Sequence, residues 1–317
     1  MMFKFVMLPP NLRPQWPAAL AAAVPDCQVE AFAAPADARQ AIVNADAAYG
    51  TIPPELLKLA PKLRWICAPQ AGLGGGWSYP ELIESEVVVT NTRGIFNDHL
   101  SHHVMGLILA HSRHFDYYRD LQQNHQWGPG REIQHLPDCT LLVIGCGAAG
   151  AATAALAKQF GMRVLATDAR TTAPPVGVDE LHPPEALQEL LPRADYVVMI
   201  VPETPTTQGM MAAPQFAAMK PGSYLINVGR GSTLVLADLV QALNEGKLAG
   251  ASLDVFETEP LPADHPLWGM PQVRITPHVS GEGPYCWDRR LELIIENCRR
   301  FAAGEPLRNV VDKRNWF

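Results

Sequence analysis

A chain of 317 residues, 48% hydrophobic and 18% charged, suits a soluble protein of two ordinary domains. Its net charge of −7 offers no basic face, so no nucleic-acid partner is expected. Prolines cut the apolar start MMFKFVML before a signal-peptide core forms, and Ala18 to Val24 is too short to span a bilayer, so no membrane partner is expected either.

The first hundred residues alternate short apolar runs with helix-like segments. Strands are predicted at 3–8, 27–32, 45–50, 63–68 and 86–91, and helices at 35–44 and 53–60, the latter entered through Pro53-Pro54. This βαβ rhythm predicts a small parallel sheet covered by helices. Residues 98–125 read as one long helix, capped by Asp98, with apolar positions at Val104, Leu107, Ile108 and Phe115. Five histidines fall on it (His99, His102, His103, His111 and His114), without an HExxH pattern, so no metal is expected. A loop with Gly128, Pro129 and Gly130 leads to a second series of strands at 140–145, 162–168, 196–201, 223–229, 248–255 and 273–277. Six strands with helices between them predict a doubly wound sheet. A last helix near 284–303 should stop at Gly304. Trp127 and Trp287 fall in loops or loop edges, and Trp287 either shapes a substrate pocket or simply packs. The six cysteines show no CxxC pair and no framework spacing, which points to reduced thiols in the cytoplasm.

Gly145-Cys146-Gly147-Ala148-Ala149-Gly150 follows an apolar strand and opens an alanine-rich helix. The first glycine permits a tight turn, the second lets backbone approach a pyrophosphate, and the third allows close helix–sheet packing. The helix N-terminus then stabilises the phosphate charge. Asp168 ends the second strand, where a carboxylate accepts ribose hydroxyls and repels a 2′-phosphate. This favours NAD, with NADP as the alternative because Arg170 stands two residues on and could pair with a phosphate.

Three further stretches, NVGRG (227–231), LDVFETEPL (253–261) and ITPHVSG (275–281), each close a predicted strand at the edge where such sheets bind ligands. With the glycine turn, VPETPTTQGMM (201–211) and MKPGSYLINVGRGSTL (219–234), the chain resembles the D-isomer-specific 2-hydroxyacid dehydrogenase family over nearly its whole length.

That resemblance implies two Rossmann-like lobes: a doubly wound NAD-binding domain, 98–287, inserted in a smaller flavodoxin-like substrate domain, 1–97 and 288–317. It implies a small 2-oxo acid or 2-hydroxy acid as substrate and a homodimer built around the 98–125 helix. Arg230 would hold the substrate's carboxylate and carbonyl through forked, permanently charged donors. His278 would protonate the carbonyl oxygen during reduction, with Glu259 orienting its ring. Of the two acids in FETEP, the resemblance selects Glu259, leaving Glu257 to solvent. Val201, Pro202, Thr207, Val228, Gly229 and Gly281 would line the cofactor cleft, and Ala71 and Gly72 would offer backbone amides to the substrate carboxylate. Asp254 would bind the nicotinamide carboxamide, with strand capping as the competing reading. The family commonly has Ala-Glu-His where this chain has Ser101-His102-His103. The expected activity is reduction of glyoxylate or hydroxypyruvate; the rival is a nucleotide-sensing, corepressor-like protein on the same fold.

Overall fold

Short apolar runs, bounded by proline, glycine and acidic residues, set the strands of two separate parallel sheets. The computed structural model describes residues 2–74, 77 and 79–315. The chain divides into two units: one holds the chain up to Ile95, Pro202–Pro205 and everything from Pro284 onward; the other holds Phe96–Val201 and Thr206–Gly283.

The first unit carries β1 (Phe3–Met7), β2 (Cys27–Ala31), β3 (Ala47–Tyr49), β4 (Trp65–Cys67) and β5 (Val88–Thr90). Their order, β2-β1-β3-β4-β5, with all pairs parallel, is the flavodoxin-like one. Alternation along β1 splits the core: Phe3, Phe5 and Met7 join one cluster, while Val6 joins the other. Helices α1 (Trp16–Ala23), α2 (Pro54–Leu57) and α3 (Pro80–Glu84) connect the strands. The expected 35–44 helix is instead two 3₁₀ turns, Pro35–Ala38 and Ile42–Asn44, which suffice to bury Ala38 and Ile42. The 53–60 segment keeps one α-turn before closing in tighter turns at Leu59 and Ala60.

The second unit opens on α4 (Asn97–Ser112) and α5 (Phe115–Gln123), not one continuous helix. His114 breaks it at φ 55, and its Nε2 bonds the Glu132 carbonyl at 2.7 Å, compensating the left-handed turn. Asp98 does not cap α4: Phe96 holds the cap position, and Asp98 lies in the first turn, where its charge still faces the helix dipole.

β6 (Thr140–Ile144), α6 (Ala148–Gln159), β7 (Arg163–Thr167), β8 (Glu180–His182), α7 (Leu187–Leu190) and β9 (Tyr196–Met199) follow. Then come α8 (Ala213–Ala218), β10 (Tyr224–Asn227), α9 (Leu236–Asn244), β11 (Gly250–Leu253) and β12 (Val273–Ile275). The sheet has seven strands among the described residues, one more than expected, in the order β12-β11-β10-β9-β6-β7-β8. The strand order reverses between β6 and β9, which makes that edge the topological switch point. Leu141 and Val143 pack beneath α4 and α6 through Val104, Ile108 and Ala154, while Leu142 and Ile144 face the opposite core.

The chain returns to the first unit in α10 (Cys286–Ala303), whose Ile294 and Cys298 sit among Phe3, Phe5 and Trp65. It stops at Gly304, which takes φ 72 at the cap. Trp287 lies in the first turn of this helix and packs on Trp16 at 5.9 Å, with the Arg13 guanidinium 3.9 Å over its ring; the packing reading therefore holds. Among the described residues, no helix is long and apolar enough to cross a membrane.

Candidate active site

The glycine turn sits at the carboxyl end of β6. Gly145 adopts φ 94, and a Cβ there would lie 2.8 Å from Val201 Cγ1. A Cβ on Gly150 would lie 2.1 Å from the Gly145 carbonyl oxygen, so the turn closes only around hydrogen. Gly147 caps α6 without a side chain, and a Cβ there would meet nothing within 4 Å. Open space thus lies over the helix start at Ala148 and Ala149, whose first turn carries partial positive charge. This cradle fits a dinucleotide pyrophosphate. Cys146 is buried, and burial, then the Asp168 charge, pushes its thiol up to about 11, which makes it a packing group.

Asp168 follows β7 directly. Its Oδ1 accepts the amides of Arg170 at 2.9 Å and Thr171 at 2.8 Å, so the carboxylate also shapes the turn that carries the exposed Arg170. Val201 and Val228 follow β9 and β10, and the Val228 amide bonds the Met199 carbonyl at 3.1 Å. Gly229 lies so close to Val201 that a Cβ would fall 2.6 Å from its carbonyl oxygen. Thr207 opens a turn by accepting the Met210 amide at 3.2 Å.

Arg230, Glu259 and His278 follow the neighbouring strands β10, β11 and β12, which brings all three to the same edge of the sheet. Arg230 is half-buried, and its Nη1 donates to the Gly229 carbonyl at 2.7 Å. Asn227 braces this turn from both sides, accepting the Gly229 amide and donating to the Arg230 carbonyl, each at 3.0 Å. Nothing in the sequence reading singled out Asn227, although its place before Val-Gly-Arg is a turn signal.

His278 Nδ1 donates to Glu259 Oε2 at 2.7 Å, while Glu259 Oε1 accepts the Phe256 amide at 2.9 Å. With Nδ1 committed as donor, Nε2 is the ring nitrogen left able to give or take a proton. Glu257 is exposed. Asp254, just past β11, is fully buried, and both carboxylate oxygens bond the loop that follows β12: Oδ1 to Thr276 and Val279, Oδ2 to the Ser280 amide. Burial alone would raise its carboxyl, but bonds from Ser280, Thr276 and Val279 more than offset that and hold it below the ordinary value. This geometry matches the strand-capping reading of Asp254. Gly281, at the end of the same loop, would place a Cβ 3.5 Å from Phe96.

Ala71, Gly72 and Pro202 belong to the first unit and the other candidate residues to the second. The Ala71 carbonyl accepts Asn91 Nδ2 at 2.6 Å, and Thr92 ties down Gln70 and Pro69, which fixes the loop's entry. Gly75 and Gly76 of that loop lie outside the described residues.

A cavity of about 830 Å³ lies beside Asp195, Tyr224 and Gln272, at the amino ends of the strands and therefore away from the glycine turn. Among the described residues, no three His, Cys, Asp or Glu side chains gather as a metal-ligand set.

A glycine-turn nucleotide cradle and an Arg, Glu, His edge on one doubly wound sheet define a dinucleotide-dependent oxidoreductase. Residues 105–280 match the model of the D-isomer specific 2-hydroxyacid dehydrogenase NAD-binding domain. The chain is 33% identical over 304 residues, 94% of each protein, to glyoxylate/hydroxypyruvate reductase A of Serratia proteamaculans. Its structure is similar to that of a D-isomer specific 2-hydroxyacid dehydrogenase family protein from Aeromonas salmonicida, with a TM-score of 0.82 and 34% identity over 99% of this chain and 100% of that one. It is also similar to the NADPH-dependent glyoxylate/hydroxypyruvate reductase of Sinorhizobium meliloti in complex with NADP and sulfate, with a TM-score of 0.87 and 29% identity over 99% and 100%. The chain belongs to the D-isomer specific 2-hydroxyacid dehydrogenase family and is an NAD(P)-dependent oxidoreductase.

Proposed function

We propose that this enzyme reduces small 2-oxo acids of the glyoxylate and hydroxypyruvate kind to D-2-hydroxy acids. The observation that carries the reading is the His278 Nδ1–Glu259 Oε2 bond of 2.7 Å, which leaves Nε2 to deliver a proton. Arg230 holds the substrate's carboxylate and carbonyl oxygen through its forked donors. Ala71 and Gly72, whose backbone amides suit a carboxylate, belong to the first unit, the candidate substrate domain. The bound nicotinamide supplies the hydride to the carbonyl carbon. His278 then protonates the carbonyl oxygen from Nε2 and is left neutral, and in the oxidative direction it takes the proton back.

Asp168 faces the adenosine ribose and favours NADH, while Arg170 leaves NADPH as a second coenzyme, the one named for the Sinorhizobium relative. The six free cysteines are all buried, which suits a reducing cytoplasm. A homodimer built around residues 98–125 is supported by the exposed apolar side chains of Phe115, Trp127 and Ile133 on α5 and the loop after it.

The test is turnover by the purified enzyme of a panel of 2-oxo acids with NADH and with NADPH, and chiral analysis of the product. D-glycerate from hydroxypyruvate is the expected result. No turnover with any acid, despite coenzyme binding, would favour a nucleotide-sensing, corepressor-like role.

A further inference from the structure

We propose that His103 and Thr276 are positioning residues for His278, acting through Asp254; this rests on the reading of His278 as the acid–base group. His278 needs holding. Its backbone sits at φ 56, a left-handed conformation that is strained for a residue with a Cβ when nothing opposes it. The hold comes from Asp254: its main-chain oxygen accepts the His278 amide at 2.8 Å, and its carboxylate accepts the next two amides, Val279 and Ser280, each at 2.9 Å.

The carboxylate is itself fixed from one side by Thr276, whose Oγ1 donates to Asp254 Oδ1 at 2.6 Å. A hydroxyl has one proton, and this one is committed to Asp254. Toward His103 Nε2, 3.3 Å away, Thr276 Oγ1 can therefore only accept, so His103 is the donor. The direction of the relay follows: His103 N–H to Thr276 O–H to the Asp254 carboxylate, each donor polarising the next. His103 rides on α4, whose Val104, Leu107 and Ile108 are locked into the core under the glycine turn. A packed helix thus pins the rotamer of Thr276, Thr276 pins the carboxylate, and the carboxylate pins the backbone that aims the imidazole. A role confined to stability would appear in the melting temperature and in coenzyme affinity. A role in aiming His278 appears in kcat.

The experiment compares Thr276→Val, Thr276→Ser, His103→Leu, His103→Gln and the Thr276→Val/His103→Leu double variant, reading kcat, KM for hydroxypyruvate and Kd for NADH. Misaiming a reacting group by about 1 Å costs up to about 10²-fold, so Thr276→Val should lower kcat by roughly 10- to 100-fold and His103→Leu by several-fold. KM and Kd should stay within about twofold, the mark of an interaction used in the chemical step alone. Thr276→Ser keeps the hydroxyl and His103→Gln keeps an N–H donor at the Nε2 position, so both should recover most of the rate. The double variant should be no slower than Thr276→Val, because His103 acts only through Thr276. Unchanged kcat in Thr276→Val, losses that multiply in the double variant, or losses confined to KM and Kd would overturn the proposal. His278→Ala, run alongside, separates the two readings. If it abolishes turnover while Thr276→Val leaves kcat unchanged, the positioning role alone fails. If it leaves turnover intact, the acid–base reading fails and takes the positioning role with it.

Discussion

His278 and Glu259 are joined by a single 2.7 Å hydrogen bond, although their side chains remain 47% and 36% exposed. An ion pair so open to water adds little to stability. Its value lies in direction: Glu259, anchored by the Phe256 amide, commits Nδ1 and so leaves Nε2 for the proposed proton transfer.

Glu259→Gln tests that directional role. A glutamine that keeps its carbonyl on the Phe256 amide turns an NH₂ toward Nδ1, which reverses the bond, so Nδ1 can no longer carry a proton and the imidazolium that donates from Nε2 loses its partner. The kcat for hydroxypyruvate reduction should fall by roughly 10²-fold, within the range for impaired acid–base catalysis. The melting temperature should move by no more than about 2 °C, as expected for an exposed pair. A large loss of melting temperature with little loss of kcat would make the pair structural instead.

Asp168→Asn separates charge from turn geometry at the coenzyme's ribose. An amide oxygen still accepts the Arg170 and Thr171 amides, so the turn survives while the repulsion of a 2′-phosphate disappears. The ratio of kcat/KM for NADPH over NADH should rise by about tenfold, equivalent to about 1.4 kcal/mol. An unchanged ratio would mean that Arg170 alone decides coenzyme choice.

Gly150→Ala should remove coenzyme binding by a backbone route. The new methyl would fall 2.1 Å from the Gly145 carbonyl oxygen, so the turn must open. Destabilisation of about 1–3 kcal/mol is expected, with Kd for NADH rising by at least tenfold. Gly147→Ala, whose Cβ meets no protein atom within 4 Å, should leave the apo protein's stability nearly unchanged and weaken coenzyme alone. Equal melting losses in both variants would contradict this division of roles.

The strands were legible because each is an apolar run with clear stops, as in LLVI before Gly145 or YLIN before Val228. β8 was not: Glu180-Leu181-His182 is half-exposed at the sheet edge and reads as loop. The break at His114 was equally hidden, since no glycine or proline marks it and a bond to Glu132 supplies the compensation. The placement of Arg230, Glu259 and His278 on one edge could be read from strand ends, because the sheet edge gathers them whatever the intervening loops do, while the choice of Glu259 over Glu257 came from the family resemblance. The Asp254 clamp could not. Its partners are two backbone amides and a threonine, and His103 joins them from 173 residues away.

His111 gives the fold a measurable acid sensitivity. Its ring stacks on Tyr224 at 3.8 Å, and burial, then the His114 and Arg274 charges, lowers its pKa from 6.5 to about 4. The folded value lies below the unfolded one, so the unfolded chain takes up the proton first as pH falls. The stabilisation is fully present above pH 6.5 and is lost as pH falls toward about 4, by at most about 3 kcal/mol. His111→Gln, which cannot titrate, should show a smaller drop in melting temperature between about pH 7 and pH 5 than the unmodified enzyme. Parallel curves would place the acid sensitivity elsewhere.

The central claim is that His278 delivers the proton. Stopped-flow single turnover of hydroxypyruvate with pre-bound NADH, comparing the unmodified enzyme with His278→Ala, measures that step without product release. The account predicts a fall on the order of 10²–10⁴-fold in the rate of NADH oxidation, with Kd for NADH unchanged. A single-turnover rate within about threefold of the unmodified enzyme would contradict it.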